Sequence, residues 1–256
     1  MKYHIRRCGR EGARMLVLCS GLGGARGYWT PHLEALEAMG LDVLLYDQRG
    51  CGENMEAIGP TRIADMADDV LAICDAAGVE RFDLLGHALG GLVGFDLACR
   101  AGRRIDRVVA INAWPRIDAH TARCFDIRLA TLTHQGLAAF AALQQNFLYP
   151  PFWIAAHPDR IAAEEAHAVA HFQGADTVRH RIGALRDFAL GDWPEAGPEV
   201  LLISSTDDAL VDAAQSRRLA ERIPGARLLE YPQGGHALNI TKQTRFEADL
   251  AAFLTH

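Results

Sequence analysis

Phe82-Asp83-Leu84-Leu85-Gly86-His87-Ala88-Leu89-Gly90-Gly91 is the stretch on which the reading of the chain turns. A short apolar run ends in Gly-x-Ala-x-Gly-Gly and passes into a helical pattern marked by Leu92, Val93 and Leu97. This is the strand, sharp turn and helix of a nucleophile elbow. Gly86 and Gly90 leave room for backbone to pack where a side chain would clash. The position that should attack holds Ala88, whose methyl group neither attacks nor donates a proton. The scaffold is therefore that of a covalent catalyst, while the covalent route is closed.

The flanks extend the same pattern. Residues 14–20 form a continuous apolar run, the mark of a strand buried on both faces. It ends in Gly21-Leu22-Gly23-Gly24, a turn whose backbone N–H groups can face a bound oxygen. Residues 2–8 alternate weakly and predict an edge strand. Thr30-Pro31 predicts a helix start, Thr as N-cap and Pro in the first position, with Gly40 closing it. Residues 41–46 predict the next strand, and an Asp47–Arg49 pair with two glycines is expected to brace the loop after it. Ile63, Met66, Ala67, Val70, Cys74 and Ala77 fall at helical spacing and stop at Gly78.

Beyond the elbow helix, residues 107–111 read as another buried strand. The alternation breaks at Asn112-Ala113-Trp114-Pro115, and from there to Trp193 the pattern is helical, polar and aromatic. Within it, the hydrophobic stretch 147–153 is expected to pack inside the helical layer, with lining of a substrate chamber as the alternative. Strands are predicted again at 199–204 and 226–231, and helices at 215–223 and 241–254. Strand and helix alternating in this way predict an α/β fold with a mostly parallel sheet. The expected division is a core of residues 1–113 and 194–256 with a helical cap, 114–193, over the carboxyl ends of the strands.

Bulk properties narrow the partners. The 256 residues carry a formal net charge of −6, which argues against nucleic acid or an anionic membrane. No apolar run is long enough to span a bilayer, and the first residues lack the apolar stretch of a signal peptide. Cys8, Cys19, Cys51, Cys74, Cys99 and Cys124 show no paired spacing, so reduced thiols in a cytoplasmic protein are expected. A small-molecule substrate is the expected partner, and a homodimer is allowed. His167 and His171 stand one helical turn apart behind Glu164 and Glu165, but no Glu follows the first His in the metalloprotease sense. That stretch is read as a solvated helix, and neither metal nor cofactor is expected.

Three signals then fall in the order elbow, acid, histidine. Asp208 follows a predicted strand, and His236 follows the last one in a Gly-Gly-His turn. Asp207 competes with Asp208 for the acid position. A buried carboxylate accepts the imidazole Nδ1–H and frees Nε2 to take a proton. With Ala88 supplying no proton, water or the substrate must. The backbone N–H groups of Leu22 and Leu89 are the expected oxyanion donors, and His87 is a candidate to touch substrate.

With these residues in view, the chain resembles the α/β-hydrolase superfamily over its length, and more narrowly the RutD-type proteins of bacterial pyrimidine utilisation. The matching stretches include Gly86-His87-Ala88-Leu89-Gly90, Asn112-Ala113-Trp114 and Gly235-His236-Ala237-Leu238-Asn239. The elbow motif alone marks only the superfamily, and the cap stretches Asp118-Ala119-His120-Thr121-Ala122-Arg123-Cys124-Phe125, Phe147-Leu148-Tyr149-Pro150 and Ala170-His171-Phe172-Gln173-Gly174 make the narrower match. Asp212 departs from the pattern, since many hydrolases have Pro there. The resemblance implies that Ala88 is native and that the substrate is a small anion. It would be 3-aminoacrylate giving malonic semialdehyde and ammonia, or carbamate giving carbon dioxide and ammonia, in uracil degradation. A carboxylate substrate implies a cation, for which Arg116, His120 and Arg123 are candidates. The competing readings are an esterase or amidase inactivated by substitution at 88, a non-catalytic binding protein, and a cofactor-free oxygenase.

Overall fold

Alternate residues of the central strands enter two different cores, one on each face of a single sheet. Val17, Leu44, Leu84, Val108 and Leu202 face one side, while Leu16, Leu18, Leu85, Val109 and Ile203 face the other. Strands covered on both faces need apolar residues at every position, which is why they read as continuous runs. The structure is a computed structural model and describes residues 1–255. Its strands are β1 (His4–Arg6), β2 (Met15–Cys19), β3 (Asp42–Leu45), β4 (Phe82–His87), β5 (Ile105–Ile111), β6 (Glu199–Ser205) and β7 (Arg227–Tyr231). They form one seven-stranded sheet in the order β1-β3-β2-β4-β5-β6-β7. Only the β1–β3 pairing is antiparallel.

The helices are α1 (Leu33–Ala38), α2 (Ile63–Ala76), α3 (Leu89–Ala101), α4 (Ala119–His134), α5 (Leu137–Leu148), α6 (Pro151–Ala156), α7 (Pro158–Ala170), α8 (Ala175–Asp187), α9 (Ala214–Arg222), α10 (Leu238–Thr241) and α11 (Gln243–Leu254). Five of them, α4 to α8, lie between β5 and β6. The two ends of that insertion meet: Arg116 bridges to Ala189, and Leu190 N–H donates to Pro115 O at 2.7 Å. Stretch 147–153 joins it to the final loop, since Ala237 N–H donates to Leu148 O at 2.9 Å. Tyr149 packs in a small cluster with Ala237 and Ile240, while Phe152 stays exposed.

Two local expectations are corrected. Arg26–His32 is a 3-10 helix with Pro31 inside it, Thr30 makes no cap bond, and the α-helix begins only at Leu33. The tight turn buries Trp29 and His32 completely, and that burial outweighs the local capping signal. Asp47 and Arg49 do not pair with each other. Asp47 accepts from the Arg26 guanidinium and from the N–H groups of Arg26 and Glu53, while Arg49 reaches Asp69.

Candidate active site

The elbow is as sharp as its glycines require. Ala88 sits at φ 47°, ψ −104°, a region that L-residues adopt only when their surroundings force it. A Cβ on Gly86 would fall 2.2 Å from the Gly90 carbonyl carbon, and one on Gly90 would fall 2.0 Å from the Cys19 carbonyl oxygen. β4, α3 and the end of β2 therefore touch backbone to backbone. Ala88 N–H donates to Ile111 O at 2.8 Å, which ties the turn to the end of β5.

His236 approaches this turn from the loop after β7. Its Nδ1 lies 2.7 Å from Asp208 Oδ2, and both side chains are almost wholly buried. A carboxylate only accepts, so the proton sits on Nδ1 and the lone pair on Nε2. The other carboxylate oxygen accepts from Leu210 N–H at 2.7 Å and Val211 N–H at 2.9 Å. Asp207 is turned elsewhere: its Oδ1 takes the N–H groups of Gly234 and Gly235, both at 2.8 Å, and the Ser205 hydroxyl. It braces the histidine loop and leaves the contact with the ring to its neighbour.

Two further side chains hold the peptide of His236. His87 Nε2–H donates to His236 O at 2.8 Å, and Asn112 Nδ2 donates to the same oxygen at 2.7 Å. The His87 and His236 rings meet edge to face at 4.7 Å between centroids, which places the ring of His236 beside the elbow. Burial, with the nearby His236 adding to it, pushes the His87 imidazole down to about 3, so it stays neutral. Its Nδ1 side faces the Gly21 turn, where an added Cβ would lie 2.8 Å from that atom. His87 is thus built into the wall as a prop.

The N–H groups of Leu22 and Leu89 have no backbone or side-chain acceptor among the described residues. The Leu22 turn is held from the inserted helices by a residue that sequence reasoning missed. Arg181 of α8, fully enclosed, donates to Leu22 O at 3.1 Å, to Gly21 O at 3.2 Å and to the Gln48 amide oxygen. Gln173 donates to Leu22 O as well, at 3.2 Å.

The expected substrate cations lie outside this enclosure. Arg116, His120 and Arg123 are exposed; His120 Nε2 meets Ala209 O at 3.0 Å on the rim of the acid loop. The inward face of α4 carries Thr121, Cys124, Phe125 and Arg128 instead. Elsewhere, His167 and His171 stack on each other at 4.1 Å, and Glu164 is taken up by Tyr149 and Arg160. A surface cavity of about 680 Å³, lined by Arg10, Arg14, Gly40 and Leu41 among others, opens at the amino ends of β2 and β3, the opposite end of the sheet from the elbow.

The family model for the alpha/beta hydrolase fold matches residues 14–243. Proteins described as "Putative carbamate hydrolase RutD" align along nearly the whole chain. The one from Agrobacterium fabrum is 45% identical, covering 94% of this chain and 93% of its own. The one from Rhizobium rhizogenes is 41% identical, covering 99% and 97%. This chain is a RutD-type α/β hydrolase. Among solved structures, the enol-lactonase of Burkholderia xenovorans LB400 superposes on this α/β hydrolase with a TM-score of 0.89 at 28% identity, covering 100% of this chain and 96% of that one. No helix among the described residues of the α/β hydrolase is long and apolar enough to cross a membrane.

Proposed function

We propose that this hydrolase cleaves the C–N bond of a small anionic substrate without a covalent intermediate, His236 and Asp208 supplying acid–base catalysis. The observation that carries the reading is a buried imidazole–carboxylate pair set beside an elbow residue with no nucleophilic atom. The name of the relatives points to carbamate. The resemblance to pyrimidine-utilisation proteins adds 3-aminoacrylate. Both substrates are labile, and general acid–base help of about 10²–10⁴-fold suffices for a labile bond.

For the enamine, protonated His236 delivers its Nε2 proton to C2 and generates an iminium. The neutral imidazole then takes a proton from the water that adds to C3. It passes that proton to nitrogen, and ammonia leaves as the carbinol O–H proton returns to the ring. Leu22 and Leu89 N–H groups face the developing oxygen charge. For carbamate, one proton placed on nitrogen releases ammonia and carbon dioxide. Asp208 fixes the tautomer and stabilises the imidazolium. We treat residues 114–193 as a cap that keeps bulk water from the reacting atoms.

The test is time-resolved ammonia release from freshly generated 3-aminoacrylate and from carbamate, with wild type, His236→Ala and no protein. Wild type accelerates release and His236→Ala does not. Equal rates for wild type and His236→Ala would refute the mechanism.

A further inference from the structure

Arg128 sits on the inward face of α4, three turns into the helix, and is 4% exposed. Its Nε is enclosed with no hydrogen-bond partner, and no acidic side chain among the described residues pairs with its guanidinium. The ring of Phe125 lies 5.5 Å from its Cζ. The other fully enclosed arginine, Arg181, has acceptors in Gly21, Leu22 and Gln48. Buried cations are kept paired because desolvation is otherwise uncompensated. Arg128 thus stands as a cation prepared for an anion that the chain itself does not supply.

Its surroundings connect it to the elbow. Thr121, two turns earlier on the same face, donates to Leu210 O at 3.1 Å, and the Cys124 thiol lies 3.9 Å from Ala209 O, so this face of α4 rests on the acid loop. Phe125 also packs on Trp114 at 6.5 Å between centroids, and the Trp114 indole N–H is a second enclosed donor without an acceptor. Ala113, beside it, is the residue that a Cβ on Gly91 would meet at 3.0 Å, directly after the elbow. Two unsatisfied donors therefore border one phenyl ring on the elbow side of the inserted helices. Burial lowers the Arg128 guanidinium only to about 10, so the charge persists at neutral pH.

We infer that Arg128 is the subsite for the carboxylate of the substrate, with the Trp114 N–H as neighbouring donor, and that it gives the site its selectivity for anions. This rests on the reading of His236 as the reacting group beside Ala88. Arg116, His120 and Arg123, all exposed, are replaced by Arg128 in this role.

The experiment measures binding, so that it does not depend on turnover. Propionate and its neutral isostere propionamide are titrated calorimetrically into wild type, Arg128→Met, Arg128→Lys and His236→Ala. Wild type and His236→Ala prefer propionate by about tenfold or more, and Arg128→Met loses that preference while binding propionamide as before. Arg128→Lys keeps the charge without the planar fork and falls between them, which carries the test should the Met variant not fold. Equal propionate affinity in wild type and in Arg128→Met or Arg128→Lys, or no preference in wild type, overturns the inference. If ammonia release fails while the propionate preference tracks Arg128, the catalytic reading falls and this subsite stands.

Discussion

Replacing Asp208 by Asn isolates what the carboxylate does, because the geometry allows the amide only one orientation. One oxygen of Asp208 accepts two backbone N–H groups, from Leu210 and Val211. An amide NH2 placed there would set donor against donor in a buried site, so the Asn oxygen must keep that position. Its NH2 then faces the Nδ1 of His236, which in wild type lies 2.7 Å from a carboxylate oxygen. To accept from the NH2, Nδ1 must give up its proton, and the tautomer shifts to Nε2–H. The lone pair that should take a proton at the elbow is gone. The cost is the full value of acid–base catalysis, about 10²–10⁴-fold in kcat, or roughly 3–5 kcal/mol of barrier. Stability changes little, since the exchange is isosteric and all three hydrogen bonds survive. The assay is ammonia release from 3-aminoacrylate, paired with the 15N chemical shifts of the His236 ring. A kcat within about threefold of wild type, with the tautomer shifted to Nε2–H, would refute the reasoning, because the lone pair would then be irrelevant to the rate.

Other perturbations test other links. Gly90→Ala drives a methyl into the Cys19 carbonyl at 2.0 Å, backbone against backbone, and is expected to cost about 3 kcal/mol or more; a urea midpoint equal to wild type would contradict it. Arg181→Met frees the Leu22 turn and is expected to lower kcat about 10–100-fold with little change in Tm, because removal of a buried charge offsets the lost hydrogen bonds; an unchanged kcat means the turn needs no brace. Asp83, buried near Arg14, is pushed up to about 6 by burial, with Arg14 opposing. A raised carboxyl binds protons better folded than unfolded, so its penalty sets in as pH rises past the unfolded value of 3.8 and is fully developed above about 6. Asp83→Asn is therefore expected to gain stability relative to wild type at pH 8 over pH 4.5, by about 1–3 kcal/mol in chemical denaturation; a pH-independent difference would count against it.

The sheet and the elbow were legible because both are dictated by packing that leaves a residue signature. Strands covered on two faces must be apolar throughout, and the elbow needs glycine at 86 and 90 whatever stands at 88. The choice between Asp207 and Asp208 was not legible, since both lie in one loop and differ only in where the chain turns them. The Gly234 and Gly235 N–H groups claim the first, and the imidazole claims the second. Arg128 and Arg181 were missed for a different reason. A cation on a helix reads by its polarity as facing water, and only the spacing Thr121, Cys124, Phe125, Arg128 hints that this one does not. Thr30-Pro31 misled because local capping is weak beside the enclosure of Trp29.

The carbonyl of His236 is gripped twice, by an imidazole from the end of β4 and an amide from the residue after β5, and neither group needs to handle a proton. Aim and reactivity are consequently vested in separate parts. A change of side chain at position 88 therefore leaves the grip on His236 intact, since neither of the groups that hold its carbonyl belongs to that residue. A fold that fixes its tools independently of one another is open to a change of trade.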